Sequence, residues 1–170
     1  MAMRLSTRGR YAVMAMVELA ARQQAMVPIA PGKPCPPVSL AEIAAAQMLS
    51  LAYLEQLFGP LRRAGLVASA RGPGGGYRLA RPAHDIPISA IVDAVDEPLR
   101  ATRCEDGAPG CLAGRRCLTH DLWAELGEQI RLFLQGLSLE DVIQGDVAGR
   151  AKAPTNALAK ILQCDRATSD

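Results

Sequence analysis

Three cysteines and a histidine, Cys104, Cys111, Cys117 and His120, fall within one seventeen-residue stretch that holds three of the chain's five cysteines. Three thiolates and an imidazole supply four ligands, and Gly107, Pro109, Gly110 and Gly114 let the backbone double back around a compact inorganic centre. The competing reading is a set of unliganded thiols, which does not account for the adjacent histidine or the turn residues. Cys35 reads as a plain surface thiol and Cys164 as a thiol that ligates nothing. Hydrolytic chemistry has little to work with. His84 and His120 are the only histidines, neither G-x-S-x-G nor H-E-x-x-H occurs, and no carboxylate pair is placed in a pocket, so an enzyme is not expected.

A second kind of chemistry is written in the charges. Residues 1–82 carry ten Lys/Arg against three Asp/Glu, whereas residues 83–170 carry nine against fourteen, so a net charge of +2 hides a basic front and an acidic back. A basic front is the electrostatic footprint of a nucleic-acid partner, and an acidic back avoids one. The bland alternative is a solvated surface with an accidental bias. At 170 residues the chain is long enough for one real core. No apolar run reaches the roughly 18 residues that span a bilayer, and no signal-peptide pattern opens the chain. A cytoplasmic protein with no membrane partner is expected, and in that compartment reduced thiols favour metal over disulfide.

The elements that must position these groups follow from periodicity. Apolar residues from Ala12 to Ala20 predict a helix over residues 7–23. The prolines between 28 and 37 predict a short extended loop. Ser39 and Glu42 form a capping box for a short helix ending near Gln47, and after a brief turn at Met48 and Leu49, Ser50 caps a second. Leu54, Leu57, Phe58 and Leu61 in that second helix make an inward stripe. Tyr53, Gln56, Arg62 and Arg63 are left outside, with Ala52 and Glu55 at the margin. Two short helices joined in this way describe a helix-turn-helix, although a structural hairpin fits them equally well.

The segment that follows favours DNA. Residues 66–70 and 77–79 read as strands joined by a glycine-rich tip, residues 71–76, which is a wing whose side-chain-free backbone approaches phosphate closely at Gly74. A nucleotide-phosphate loop is disfavoured because no Lys-Ser/Thr follows the glycines. Residues 87–95 predict another helix. Beyond the cysteine loop, Trp123, Leu126, Ile130, Phe133 and Leu137 alternate three and four apart, the seam of a helix that pairs with its copy in a homodimer, or alternatively docks on its own domain. A last capped helix begins at Ser138. The fold class is therefore mainly α with a small β-wing: a winged helix-turn-helix DNA-binding domain plus a long dimerisation helix. Residues 3–82 form the DNA-binding region, 83–145 the cluster-binding loop and dimerisation helices, and 146–170 a mobile tail.

Four motifs in order carry a family resemblance: Arg4-Leu-Ser-Thr-Arg-Gly-Arg-Tyr-Ala-Val13, Ser50-Leu-Ala-Tyr-Leu-Glu-Gln-Leu-Phe58, Arg71-Gly-Pro-Gly-Gly-Gly-Tyr77 and Cys117-Leu-Thr-His120. Over roughly residues 3–145 the chain resembles the iron-sulfur cluster regulators of the IscR type, within a small bacterial winged-helix family that also includes NsrR. The resemblance implies a dimeric transcription factor that holds a 2Fe-2S cluster through Cys104, Cys111, Cys117 and His120, takes it from the iron-sulfur assembly machinery, and represses the assembly genes when loaded. Three thiolates and a neutral imidazole would bring such a site to −1, or −2 when reduced, with Arg103, Arg115 and Arg116 close in sequence to offset it.

Roles on the operator side are assigned by side-chain chemistry. Gln56 suits an adenine edge and Glu55 a cytosine amino group, while Arg62, Arg63, Arg71 and Arg78 suit phosphates or the minor groove. Ser50, Ala52, Tyr53 and Gly74 complete the expected contact surface. Two departures stand out: Ala52 occupies a position where a polar residue is expected, and Gly59-Pro60 is expected to kink or end the recognition helix. A winged-helix module with structural zinc on the same four ligands, and an electron-transfer or cluster-carrier protein, are the rival readings; only the second has no need of the wing or the basic front half.

Overall fold

The computed structural model describes residues 6–26, 35–72, 74–95 and 117–149. Helix α1 (Thr7–Ala25) starts where the Ser6 hydroxyl accepts the Gly9 amide at 3.0 Å, and it buries Ala12, Ala15, Met16, Leu19 and Ala20 along one face. Helix α2 (Leu40–Gln47) has the expected capping box: the Ser39 hydroxyl accepts the Glu42 amide at 3.3 Å, and the Glu42 carboxylate accepts the Ser39 amide at 2.9 Å. Hydrogen bonds from the Ser39 hydroxyl, and then from its backbone amide, hold the Glu42 carboxyl below the usual carboxylate range. This contribution is present when Glu42 is ionised and fades as pH falls through its lowered pKa.

Helix α3 (Leu51–Arg63) buries Leu54, Leu57, Phe58 and Leu61, the stripe read from spacing. It runs unbroken through Gly59 and Pro60, against the expected interruption. Much of a proline's penalty comes from clash with the preceding residue's Cβ, which Gly59 lacks, and the burial of Phe58 and Leu61 around the pair secures the last turn. Ser50 sits at the N-cap with extended backbone but makes no side-chain cap bond, so its exposed hydroxyl is not engaged as expected.

Strands β1 (Val67–Ala70) and β2 (Gly76–Leu79) pair antiparallel, with Val67 opposite Leu79 and Ala70 opposite Gly76. A third backbone joins them, because Val38 and Tyr77 exchange amide and carbonyl bonds of 2.9 and 2.8 Å. This bridge corrects the reading of Gly76 as part of the tip. Gly76 lies in the strand, and a Cβ there would be driven into the Val38 carbonyl. Gly76→Ala is therefore expected to destabilise the fold by about 1–3 kcal/mol, as overpacking against backbone does. Urea unfolding is the check, and an unchanged midpoint would count against the Val38 contact.

A 3₁₀ turn (Ala83–Asp85), not foreseen in the sequence, leads to α4 (Ile88–Val95), which packs on α1 and α3. Helices α5 (His120–Gln135) and α6 (Leu139–Gln144) follow. The Ile88 amide donates to the Leu137 carbonyl at 2.9 Å and the Leu139 amide to the Ile86 carbonyl at 2.8 Å. These two bonds tie the segment between α5 and α6 to the start of α4. Ile86, Ile88, Leu137 and Leu139 lie in the same core as α1 to α3, so the boundary drawn at residue 82 does not divide the packing. The expected tail lies outside the described residues from 150 onward.

Candidate nucleic-acid interface and cluster ligands

The recognition surface is built outward from α3. Its inward stripe fixes the helix's rotation, which leaves Ala52, Glu55, Gln56, Arg62 and Arg63 exposed. Tyr53 is half-buried instead, its ring meeting Tyr11 edge-on with centroids 5.9 Å apart. That contact sets the first turns of α1 beside the recognition helix. It also brings exposed Arg8 and Arg10 to the rim, two cations that motif reading passed over as part of a family signature and that the basic front half signals only collectively.

The wing is anchored to α3 and to α1. Phe58 and Tyr77 meet at 4.8 Å between centroids, and the Leu79 amide donates to the Gln23 side chain at 2.9 Å. At the tip, Gly74 is exposed with φ +74°, Arg71 is exposed, and Arg78 is half-buried on β2.

Pairing separates these cations from the others. Arg22 is bonded to Glu18 and Arg131 to Glu128, each through contacts of 2.6 Å. Arg8, Arg10, Arg62, Arg63, Arg71, Arg78 and Arg81 have no carboxylate partner among the described residues. Among the described residues, the charge available to a phosphate backbone therefore lies on α1, α3 and the wing. Arg62 and Arg63 also sit in the last turn of α3, where cations favour the helix dipole.

Of the four expected metal ligands, Cys117 and His120 are described, while Cys104 and Cys111, together with Arg103, Arg115 and Arg116, lie outside the described residues. The His120 amide donates to the Cys117 carbonyl at 3.0 Å, so the two ligand-bearing residues share one turn at the start of α5. Cys117 is half-buried with its sulfur 3.5 Å from the Thr119 hydroxyl, and His120 is buried. A soft thiolate and an imidazole on one turn fit either an iron-sulfur cluster or zinc. Among the described residues no three potential ligands gather into a metal site.

Helix α5 buries only His120. Trp123 and Phe133 are exposed and Leu126 and Ile130 half-buried, so four of the five expected seam residues form a largely uncovered apolar row. The fifth is a correction. The helix ends at Gln135, and Leu137, beyond it, is buried in the core of its own chain. The three-four spacing continued past the end of the helix because Gly136 leaves no break in the apolar pattern.

A family model described as "Iron-dependent Transcriptional regulator", Rrf2, matches residues 5–145. The chain belongs to the Rrf2 family. Rrf2 proteins are transcriptional regulators rather than enzymes, and the chain is a DNA-binding transcriptional regulator with their winged-helix fold. Among curated relatives, the HTH-type transcriptional regulator IscR of Photorhabdus laumondii is 48% identical over 152 residues, covering 87% of this chain and 86% of its own. The solved structure of T. potens IscR aligns with a TM-score of 0.63 at 31% identity, covering 92% of this chain and 96% of that one. CymR, the global cysteine regulator of B. subtilis, aligns with a TM-score of 0.66, also at 31% identity, over 84% of this chain and 98% of its own. The resemblance drawn from the four motifs thus holds. A cysteine regulator sharing the Rrf2 fold shows that the fold alone does not name the signal, which places the weight on residues 104–120. Among the described residues no helix is long and apolar enough to cross a membrane.

Proposed function

We propose that this Rrf2 regulator senses iron-sulfur status: as a homodimer in the cytoplasm it binds a duplex operator, represses iron-sulfur assembly genes when it holds a 2Fe-2S cluster, and changes its site preference when the cluster is absent. The observation that carries the reading is the Cys117-His120 turn at the head of α5. That helix is tied at its far end, through Leu137 and Ile88, into the core beneath the recognition helix. Order at the head of α5 thereby has a covalent and hydrogen-bonded route to the DNA-binding elements. Cys104, Cys111, Cys117 and His120 would be the ligands, with the iron-sulfur assembly machinery as donor. When bound, the cluster supplies a one-electron redox centre, and an imidazole in place of a thiolate lowers its negative charge and leaves a protonatable ligand. The apolar row Trp123, Leu126, Ile130 and Phe133 supports pairing of α5 with its copy.

On the operator side, Ser50, Ala52, Tyr53, Glu55 and Gln56 would face the groove, and Arg62, Arg63, Arg71, Gly74 and Arg78 the backbone or minor groove. Gln56→Ala is expected to weaken binding by about 1–3 kcal/mol and to relax the choice of base at one position, read by competition with single-base operator variants. Glu55 acts in the opposite sense. A carboxylate against DNA without a donor is penalised, so Glu55→Ala is expected to let the cluster-free protein accept sites it otherwise rejects. Equal site preference of Glu55→Ala and native protein, with and without cluster, would remove that role.

The testing experiment is anaerobic purification followed by visible absorption and by iron, sulfide and zinc content per chain. Charge-transfer bands with two irons and two sulfides support the proposal. Colourless protein with one stoichiometric zinc overturns it and leaves a winged-helix regulator with structural zinc.

A further inference from the structure

The turn of the helix-turn-helix carries a side chain that the fold does not use. Met48 adopts φ +51°, the only positive value at a non-glycine residue among those described, and its side chain is 93% exposed. The backbone there does need the left-handed conformation. It closes α2 by setting the Met48 amide on the Ala45 carbonyl at 3.4 Å and the Leu49 amide on the Ala44 carbonyl at 2.9 Å. Glycine is the residue that normally fills such a position, because any Cβ costs free energy in this region. Methionine bears that cost and recovers no burial for it.

Its surroundings indicate a partner. Met48 stands two residues before Ser50, the N-cap of the recognition helix, and the exposed apolar surface continues through Leu51 and Ala52. No charged residue occurs between Glu42 and Glu55. This uncharged front leads along α3 into the exposed face that carries Glu55 and Gln56. A phosphate gains nothing from it. In the major groove the apolar group on a base edge is the thymine C5 methyl. Methionine, unbranched and polarizable, fits such a contact without requiring one fixed geometry.

We infer that Met48, continued by Leu51 and Ala52, is a specificity element that reads thymine methyl groups at the edge of the operator half-site. The inference rests on the DNA-binding reading of α3 and deepens it: the sites preferred by this chain carry thymine beside the bases met by Gln56 and Glu55.

The test begins with duplexes enriched by the purified full chain from a randomised library. The winning duplex is then resynthesised with deoxyuridine replacing each thymine in turn, which removes only the methyl group. Removing the methyl at one or two thymines per half-site is expected to weaken native binding about fourfold each, the value of one buried methyl-sized group. Met48→Gly, which relieves the backbone and is expected to unfold at the same or a higher temperature, should lose the deoxyuridine sensitivity of at least one of those positions. Met48→Gln, of similar length but polar, should do the same. Undiminished deoxyuridine sensitivity in both variants, or none in the native chain, overturns the inference while salt-dependent, sequence-selective binding leaves the DNA reading intact. Failure to enrich any duplex removes both. Capture of a protein by this surface, with thymine and deoxyuridine duplexes bound alike, would also overturn it.

Discussion

Replacing Arg62, Arg63, Arg71 and Arg78 together with alanine is expected to remove most of the salt dependence of operator binding. Each neutralised phosphate contributes about −0.9 to the slope of log affinity against log salt, so four arginines on each of two protomers give a slope near −7. Between 50 and 200 mM salt the native protein should then lose roughly 10⁴-fold in affinity, and the fourfold variant far less. These four are the informative set because they are the ones assigned to phosphates or the minor groove and no described carboxylate neutralises them, whereas Arg22 and Arg131 are held by Glu18 and Glu128. Arg131→Ala serves as the control: it breaks an exposed pair worth little to stability, and it should leave the slope unchanged. Titrations of a fluorescent operator at several salt concentrations decide the matter. A native slope near zero, or equal slopes for native and variant, would remove phosphate contact from this face.

Where the sequence was readable, the local signal and the tertiary contact agreed. Ser39 and Glu42 specify a helix start by their own chemistry, and the capping box is present as read. The spacing of Leu54, Leu57, Phe58 and Leu61 fixed the rotation of α3, and that rotation alone exposes Glu55 and Gln56. The same logic failed where a distant backbone decides the outcome. Gly76 looked like one more tip glycine, yet its lack of a Cβ is required by Val38, far away in sequence. Leu137 matched a helical seam by spacing, but the bond from Ile88 and the burial behind it draw it into its own core. Pro60 argued for a break by its intrinsic preference, and packing on both sides of it overrode that preference. Tyr53 was read as fully outward because its edge contact with Tyr11 depends on how α1 crosses α3, which no spacing within α3 encodes. Motif order had already pointed to the family, since four separated signatures constrain descent more strongly than any one constrains structure.

The second large effect concerns the ligand turn. Cys117→Ala is expected to reduce iron and sulfide from two each per chain to near zero, because one missing thiolate leaves an open coordination position that oxygen and water exploit. The substitution is mild for the fold. Cys117 is only half-buried and, among the described residues, its sulfur meets nothing stronger than the Thr119 hydroxyl at 3.5 Å, so far-ultraviolet circular dichroism should not change. His120→Ala is the less clean variant, since His120 is buried at the head of α5 and its loss also removes packing. Cys35→Ala, at a half-buried thiol on the other side of the sequence from the ligand loop, should keep full iron and sulfide. The comparison extends to DNA: anaerobically purified Cys117→Ala should show the site preference of the cluster-free native chain and retain its salt slope, because the arginines and α3 are untouched. Cys117→Ala with undiminished iron would remove this residue from the ligand set. Iron lost with no change in site preference would leave the ligand assignment standing and sever the link between the head of α5 and the recognition helix.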